Sequence, residues 1–173
     1  LILNYVLFKS KGNYQELLEK IFKEKAKIKN SVFFWKKGDP DKNGNADPMF
    51  YATRYDWLRL AKAIMDDYQN DTCVGKYLKE IYDRKISKGA EAKIEPEFNR
   101  TYSYGGQFHL DYPGLKNKIV FGIGGRCGQA VLIDMEDSRI IVINSIHFND
   151  DRFRFNYKKL IRNPLKKGEA AFK

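Results

Sequence analysis

The rhythm of apolar and polar positions changes along this chain, and each change marks an element. Leu1 to Phe8 is apolar nearly all round, which suits a helix buried in a larger body, and Lys9 to Gly12 ends it. Asn13 then offers a capping side chain, with Glu16 three residues on and Leu17, Leu18, Ile21 and Phe22 forming one apolar stripe, so a second helix is expected. Thr53 and Asp56 have the spacing of a capping box, and Trp57, Leu58, Leu60, Ala61, Ile64, Met65 and Tyr68 follow at helical intervals. Between these helices Lys36 to Pro48 holds Gly38, Pro40, Gly44 and Pro48 and reads as an exposed loop. Ser87 to Asn99 has no period and reads as another.

From Thr101 the period falls to two. Tyr102, Tyr104, Phe108 and Leu110 alternate with smaller or polar residues, and the Gly105-Gly106 pair within them predicts a bulge or a close approach. Tyr112-Pro113-Gly114 is a turn, with Pro setting φ and Gly supplying a positive φ, and Lys118 to Phe121 begins the next strand. Gln129 to Met135 and Arg139 to Ile146 are rich in Val, Ile and Leu on either side of Glu136-Asp137-Ser138, the signature of a β-hairpin. Glycines at 122, 124, 125 and 128 sit before and inside it, where missing side chains let another group approach the backbone. The expectation is one α+β domain: residues 1–100 mainly helical, 101–147 a three-stranded antiparallel sheet, and 148–173 a basic tail with at most one helix, around Asn156 to Arg162.

Composition narrows the function. The 173 residues are 43% hydrophobic and 14% aromatic, enough to order a core, and no apolar run approaches a membrane span. A net charge of +10 raises the question of nucleic acid, but Lys20, Lys23, Lys25, Lys27 and Lys29 stand among glutamates as the wet side of a helix, so no nucleic-acid partner is expected. Cys73 and Cys127 are too few and too far apart for a zinc site or a disulfide framework, and their pairing is left open. His109 and His147 lack a third ligand at metal spacing and read as strand or surface histidines. The calcium-like DPDKNGNAD lacks the required glycine and bidentate glutamate, and Phe121 to Gly128 runs into a strand where a phosphate-binding helix should start. No metal and no cofactor is expected.

Several of these segments, in order, resemble one family. Gly12, Tyr14, Leu18, Ile21, Phe22, Asn30, Ser31 and Trp35 match its two helices and the segment that closes them. Ala52-Thr53 before Arg54-Tyr55-Asp56 matches the start of its long helix. Gly75-Lys76-Tyr77-Leu78 matches a turn and short helix, with Lys79 in place of a proline, and Gly128-Gln129 leads into a hairpin with an acidic turn at Asp134 to Asp137. Over roughly residues 1–147 the chain resembles the serine hydrolases related to class C β-lactamases, penicillin-binding proteins and 6-aminohexanoate-oligomer hydrolases. The resemblance implies a β-lactamase/transpeptidase-like fold of which this is the C-terminal portion, its N-terminal portion missing. It further implies a small-molecule ester or amide substrate, β-lactams and amide oligomers among them, an acyl-enzyme, and a periplasmic or extracellular setting.

The family's nucleophile and base form a Ser-x-x-Lys motif, and no serine here has a lysine three residues later. Tyr68-Gln69-Asn70 is the sole Tyr-x-Asn match, but it falls later than the family places its proton-transfer motif, which is expected upstream of Leu1. The third element is present in register: Ile123-Gly124-Gly125 takes the place of Lys-Thr-Gly, and the backbone N–H of Arg126 is the candidate catalytic oxyanion donor. Ile123, Gly124, Gly125 and Tyr104 are the expected substrate-binding residues, and Ile123 in place of Lys or His argues against penicillin hydrolysis. By itself this chain is expected to be inactive. The competing expectation is a noncatalytic binding module that turns a basic surface and Tyr102, Tyr104 and Phe108 toward an anionic partner.

Overall fold

The computed structural model of the protein describes residues 8, 11, 14–30, 33–36, 48–90, 101–115, 117–124 and 129–143. Two compact units divide the chain, Leu1–Ala63 and Ile64–Lys173.

In the first unit helix α1, Tyr14–Glu19, runs into a π-helical turn, Lys20–Lys25. Its widened ladder is visible where Ala26 N–H donates to Ile21 O, five residues back, at 3.1 Å. Wider turns carry side chains round more slowly, residue by residue, than a 3.6-residue period does, so the expected stripe breaks: Ile21 is 43% exposed, while Ala26 and Ile28 are buried. Phe8 is 77% exposed, against the burial expected for the opening run, whose other residues lie outside those described.

Strands β1, Phe33–Lys36, and β2, Pro48–Tyr51, then pair antiparallel from Phe33↔Tyr51 to Lys36↔Pro48. Both ends of the expected 36–48 loop therefore belong to a ladder, and 37–47 lies outside the described residues. Helix α2, Arg54–Gln69, begins as its capping box predicts, with Asp56 N–H donating to Thr53 Oγ1 at 3.2 Å.

The buried Asp56 carboxylate ties this unit together. It accepts from Lys29 N at 3.0 Å, Asn30 N at 3.2 Å, Asn30 Nδ2 at 2.7 Å, Thr53 Oγ1 at 2.8 Å and Arg59 Nη1 at 2.9 Å. Burial by itself would push this carboxyl up, but the bonds from Lys29, Asn30, Thr53 and Arg59 outweigh it and hold the group well below the usual carboxylate range.

The second unit takes in the end of α2, helix α3, Cys73–Asp83, and a six-stranded antiparallel sheet. Thr72 caps α3 by accepting from Gly75 N at 3.1 Å and donates its own hydroxyl proton to Asp67 Oδ1 at 2.8 Å. Gly75 permits the close approach, because a Cβ there would lie 1.9 Å from Asp67 O.

The strands are β3 (Ile86–Ser87), β4 (Ser103–Gly105), β5 (Phe108–Leu110), β6 (Val120–Gly124), β7 (Ala130–Asp134) and β8 (Arg139–Ile143), neighbours in that order. The α+β class is thus as expected, but six strands replace the expected three. One addition, β3, opens the stretch read as a loop. The others come from residues 103–110, which form a hairpin instead of one bulged strand, and from β6 and β7, which pair antiparallel as two strands where one running on from Lys118 was expected. Gly106 and Gln107 have φ of +53° and +71°, the two successive positive values of a type I′ turn. The hairpin β7–β8 matches its sequence signature, pairing Ala130↔Ile143 through Asp134↔Arg139 across a turn at 135–138. Residues 144–173, including the basic tail and its expected helix, lie outside those described.

Each sheet face has its own core. On one, Phe121 is fully buried, with ring centroids 5.0 Å from Phe108, 5.9 Å from Tyr82 and 6.2 Å from Tyr68. Removing such a side chain from water is worth about 2–3 kcal/mol. On the other, Tyr112, Leu115, Val120 and Leu132 pack together, with Ala130, Ile141 and Ile143 against them. The turn that delivers Tyr112 is the expected one, with Leu115 N–H donating to Tyr112 O at 3.0 Å and Gly114 at φ +77°.

Candidate functional site

The glycine strand β6 is approached by two different groups. At Gly122 it is the Tyr112 hydroxyl, so close that a Cβ there would lie 1.6 Å from it. This glycine serves the core. At Gly124, which is exposed, the imidazole of His109 takes that place, its Nε2 3.6 Å and its Cδ2 3.7 Å from where a Cβ would be.

Strand pairing explains why His109 arrives there. His109 is opposite Tyr104 on one side and Gly122 on the other, so the three share a face, and Gly124, two residues on, shares it as well. The Tyr104 ring stands edge-on to His109, with centroids 5.3 Å apart and planes at 71°, and Tyr104 Oη donates to Gln107 Oε1 at 2.9 Å. Behind the imidazole, Lys88 Nζ lies 3.3 Å from His109 Nδ1 and donates to Thr101 Oγ1 at 2.8 Å. Thr101 Oγ1 is itself 3.4 Å from the same ring nitrogen. Lys88 Nζ also lies 5.9 Å from the centroid of the Tyr104 ring.

Of the expected site residues, Tyr104 and Gly124 therefore meet around His109. Ile123 lies on the opposite face from Gly124, half-buried, and Gly125 and Arg126 lie outside the described residues. Lys88, Thr101 and His109 were missed by sequence reasoning. The sole signal available was a histidine on the alternating face of a strand, and nothing in the spacing of residues 88, 101 and 109 announces that they converge.

The remaining sequence candidates do structural work. Tyr68 packs on Phe121, and burial raises its hydroxyl above the ordinary value, ahead of an opposing effect of Lys79. Gln69 Nε2 donates to Met135 O and to Ser138 Oγ, both at 2.8 Å, and Asn70 Nδ2 donates to Asp66 O at 2.8 Å. The acidic turn is a clip: buried Asp134 accepts from Lys118 Nζ at 2.9 Å and from Asp137 N at 3.2 Å, while Lys118 also pairs with Asp137. Of the aromatics expected to face a partner, Phe108 turns onto Phe121, Tyr104 is half-buried beside His109, and Tyr102 is 47% exposed.

Among the described residues no group of three His, Cys, Asp or Glu is placed to hold a metal ion, and no helix is long and apolar enough to cross a membrane. Cys73 is exposed and free; Cys127 lies outside the described residues. Compared with known proteins, the chain matches no family model, no curated protein and no solved structure.

Proposed function

We propose that this chain is the sheet-bearing, C-terminal portion of a β-lactamase-related serine hydrolase that cleaves small esters or amides through an acyl-enzyme. One observation carries the reading: glycine strand β6 runs into the β7–β8 hairpin with its acidic turn, the order of parts in which residues 121–146 resemble that family. A second supports it. The 29–30 segment and the Thr53–Asp56 segment, matched to the family separately, are joined through the Asp56 carboxylate.

In this reading β6 and the residues after it offer backbone N–H groups to the oxyanion, Arg126 N–H among them, and the open side of Gly124 admits the acyl group. Tyr104, on the face that Gly124 shares, flanks the substrate, and Ile123 lies on the opposite face of β6. The serine and its lysine are supplied from sequence upstream of Leu1.

The test is to read the coding sequence upstream of Leu1 in frame, express the longer chain, and assay it with p-nitrophenyl butyrate and a serine-directed fluorophosphonate. A Ser-x-x-Lys motif whose serine is labelled, with ester turnover lost on Ser→Ala, is the expected result. An upstream sequence without that motif, or a longer chain that is neither labelled nor active, overturns the proposal.

A further inference from the structure

Net charge is unevenly shared between the two units. Residues 1–63 carry thirteen Lys and Arg against seven Asp and Glu, and residues 64–173 carry nineteen against fifteen. Pairing widens the difference. In the second unit Lys79, Arg84, Lys85, Lys118 and Arg139 each face a carboxylate. Among the described residues of the first, Lys11, Lys20, Lys27 and Lys29 face none at ion-pair distance.

Two local devices gather these cations. The π-helical turn Lys20–Lys25 puts Ile21 on the outside, next to Lys20. Lys27 then closes the turn in the left-handed region, at φ +56°, and Ile28 N–H donates to Phe22 O at 3.0 Å. Ala26 and Ile28 go inward, which leaves Lys27 and Lys29 exposed. The second device is Asp56. By accepting from Lys29 N and Asn30 N it holds this segment against the first turn of α2, where Arg54 and Tyr55 immediately precede it. Tyr55 is 62% exposed, and the Arg54 guanidinium lies over its ring, 5.3 Å from the centroid.

The surface that results is basic with apolar groups set into it, and this combination selects among polyanions. A bilayer of anionic phospholipid accepts both, its phosphates meeting the ammonium groups while aliphatic and aromatic side chains enter the interface. A nucleic acid takes the charge but gains nothing from Ile21, which cannot stack on a base, and one face of Tyr55 is already covered by Arg54. Lysines on flexible apolar stems also suit a fluid headgroup layer better than the fixed geometry of base edges.

We propose that Lys20, Ile21, Lys27, Lys29, Arg54 and Tyr55 form a docking surface for membranes of anionic phospholipid, to which the first unit binds peripherally. Each cation held near such a surface strengthens binding about fivefold, and Ile21 and Tyr55 anchor at the level of the headgroups. The inference goes beyond the hydrolase reading and stands without it, since it needs neither a nucleophile nor a substrate.

The experiment sediments the 173-residue chain with vesicles of phosphatidylglycerol and phosphatidylcholine in equal parts, and with vesicles of phosphatidylcholine alone. Expected is binding to the mixed vesicles that weakens with rising salt, and binding to phosphatidylcholine weaker by about tenfold or more. Lys27→Gln with Lys29→Gln weakens the former by about tenfold or more. Lys76→Gln with Arg84→Gln, the same loss of charge from exposed positions at α3, weakens it by less than about threefold. Tryptophan emission added by Ile21→Trp shifts to the blue on the mixed vesicles.

A folded chain that ignores the mixed vesicles overturns the surface. So does an equal loss from the two charge-matched pairs, which would make binding a property of net charge alone. An Ile21→Trp emission unmoved on vesicles that do bind the chain overturns it as well. A single-stranded oligonucleotide that displaces the vesicles through Lys27 and Lys29 hands the surface to nucleic acid and overturns the lipid assignment. Should either pair of substitutions fail to fold, the comparison of the two vesicles and the Ile21→Trp emission still decide. Ester turnover in the longer chain bears on none of these outcomes.

Discussion

At the scale of single residues, two positions show how much one atom decides. Asp56 is buried and ionised, and the donors around it keep its folded titration below the ordinary 3.8. A carboxyl depressed on folding contributes stability that is complete above its unfolded value and is lost as pH falls through the folded one. The chain should therefore weaken progressively below about pH 4. Asp56→Asn, which turns an acceptor oxygen into a donor facing other donors, should cost about 2–3 kcal/mol near neutrality and less in acid. Urea unfolding at neutral and acid pH followed by tryptophan fluorescence checks both; a cost that does not shrink in acid would mean the charge is not what holds the site. Gly122 is the second position. Gly122→Ala should cost about 3 kcal/mol, because the new Cβ falls on the Tyr112 hydroxyl, and Tyr112→Phe in the same chain should recover about 1 kcal/mol of it. The same denaturation series measures the coupling.

Elements differ in how far sequence alone reveals them. Helix α2 and the β7–β8 hairpin were legible because each is specified locally, by a cap and a 3.6-residue stripe in one case and by alternation around a polar turn in the other. The β1–β2 ladder was not, since its register is set by pairing between segments that the sequence presents as an apolar run and a loop end. Residues 103–110 were assigned to one strand because Gly105-Gly106 suggested a bulge, whereas the turn is made by Gly106 and by Gln107, a residue type that gives no warning of positive φ. The site was half legible for the same reason: Gly124 and Tyr104 carry local signals, while Lys88, Thr101 and His109 come from three segments joined by sheet pairing. Two predictions belong here. Gly75→Ala sets a methyl against the Asp67 carbonyl and should destabilise the α2–α3 corner by about 3 kcal/mol, read as a lower thermal midpoint. Lys118→Met strips a buried Asp134 of its cation and should cost about 3 kcal/mol, of which adding Asp134→Asn returns a measurable part. Were the double variant no better than the single one, the clip would owe its strength to packing and not to charge.

For the whole molecule the question is what a net charge of +10 means. Long-range attraction to any polyanion follows from the sum, but affinity for nucleic acid depends on how many cations can meet phosphates at once. Among the described residues many cations already face carboxylates: Lys23 is 3.2 Å from Glu19, Lys79 2.8 Å from Asp71, Lys85 3.0 Å from Asp111, Arg59 2.9 Å from Asp56 and Lys118 2.9 Å from Asp134. The aromatic strand that would stack bases is largely committed as well, Phe108 to Phe121 and Tyr104 to His109. How much of the charge stays available to phosphates is therefore read by salt. For an arbitrary single-stranded oligonucleotide, log K against log salt should fall with a slope no steeper than about −2, the release expected from about three phosphate contacts. Fluorescence anisotropy with a labelled oligonucleotide gives the slope. An oligonucleotide slope near −4 or steeper would put an extended phosphate-binding face on this molecule and move the binding-module reading ahead of the hydrolase.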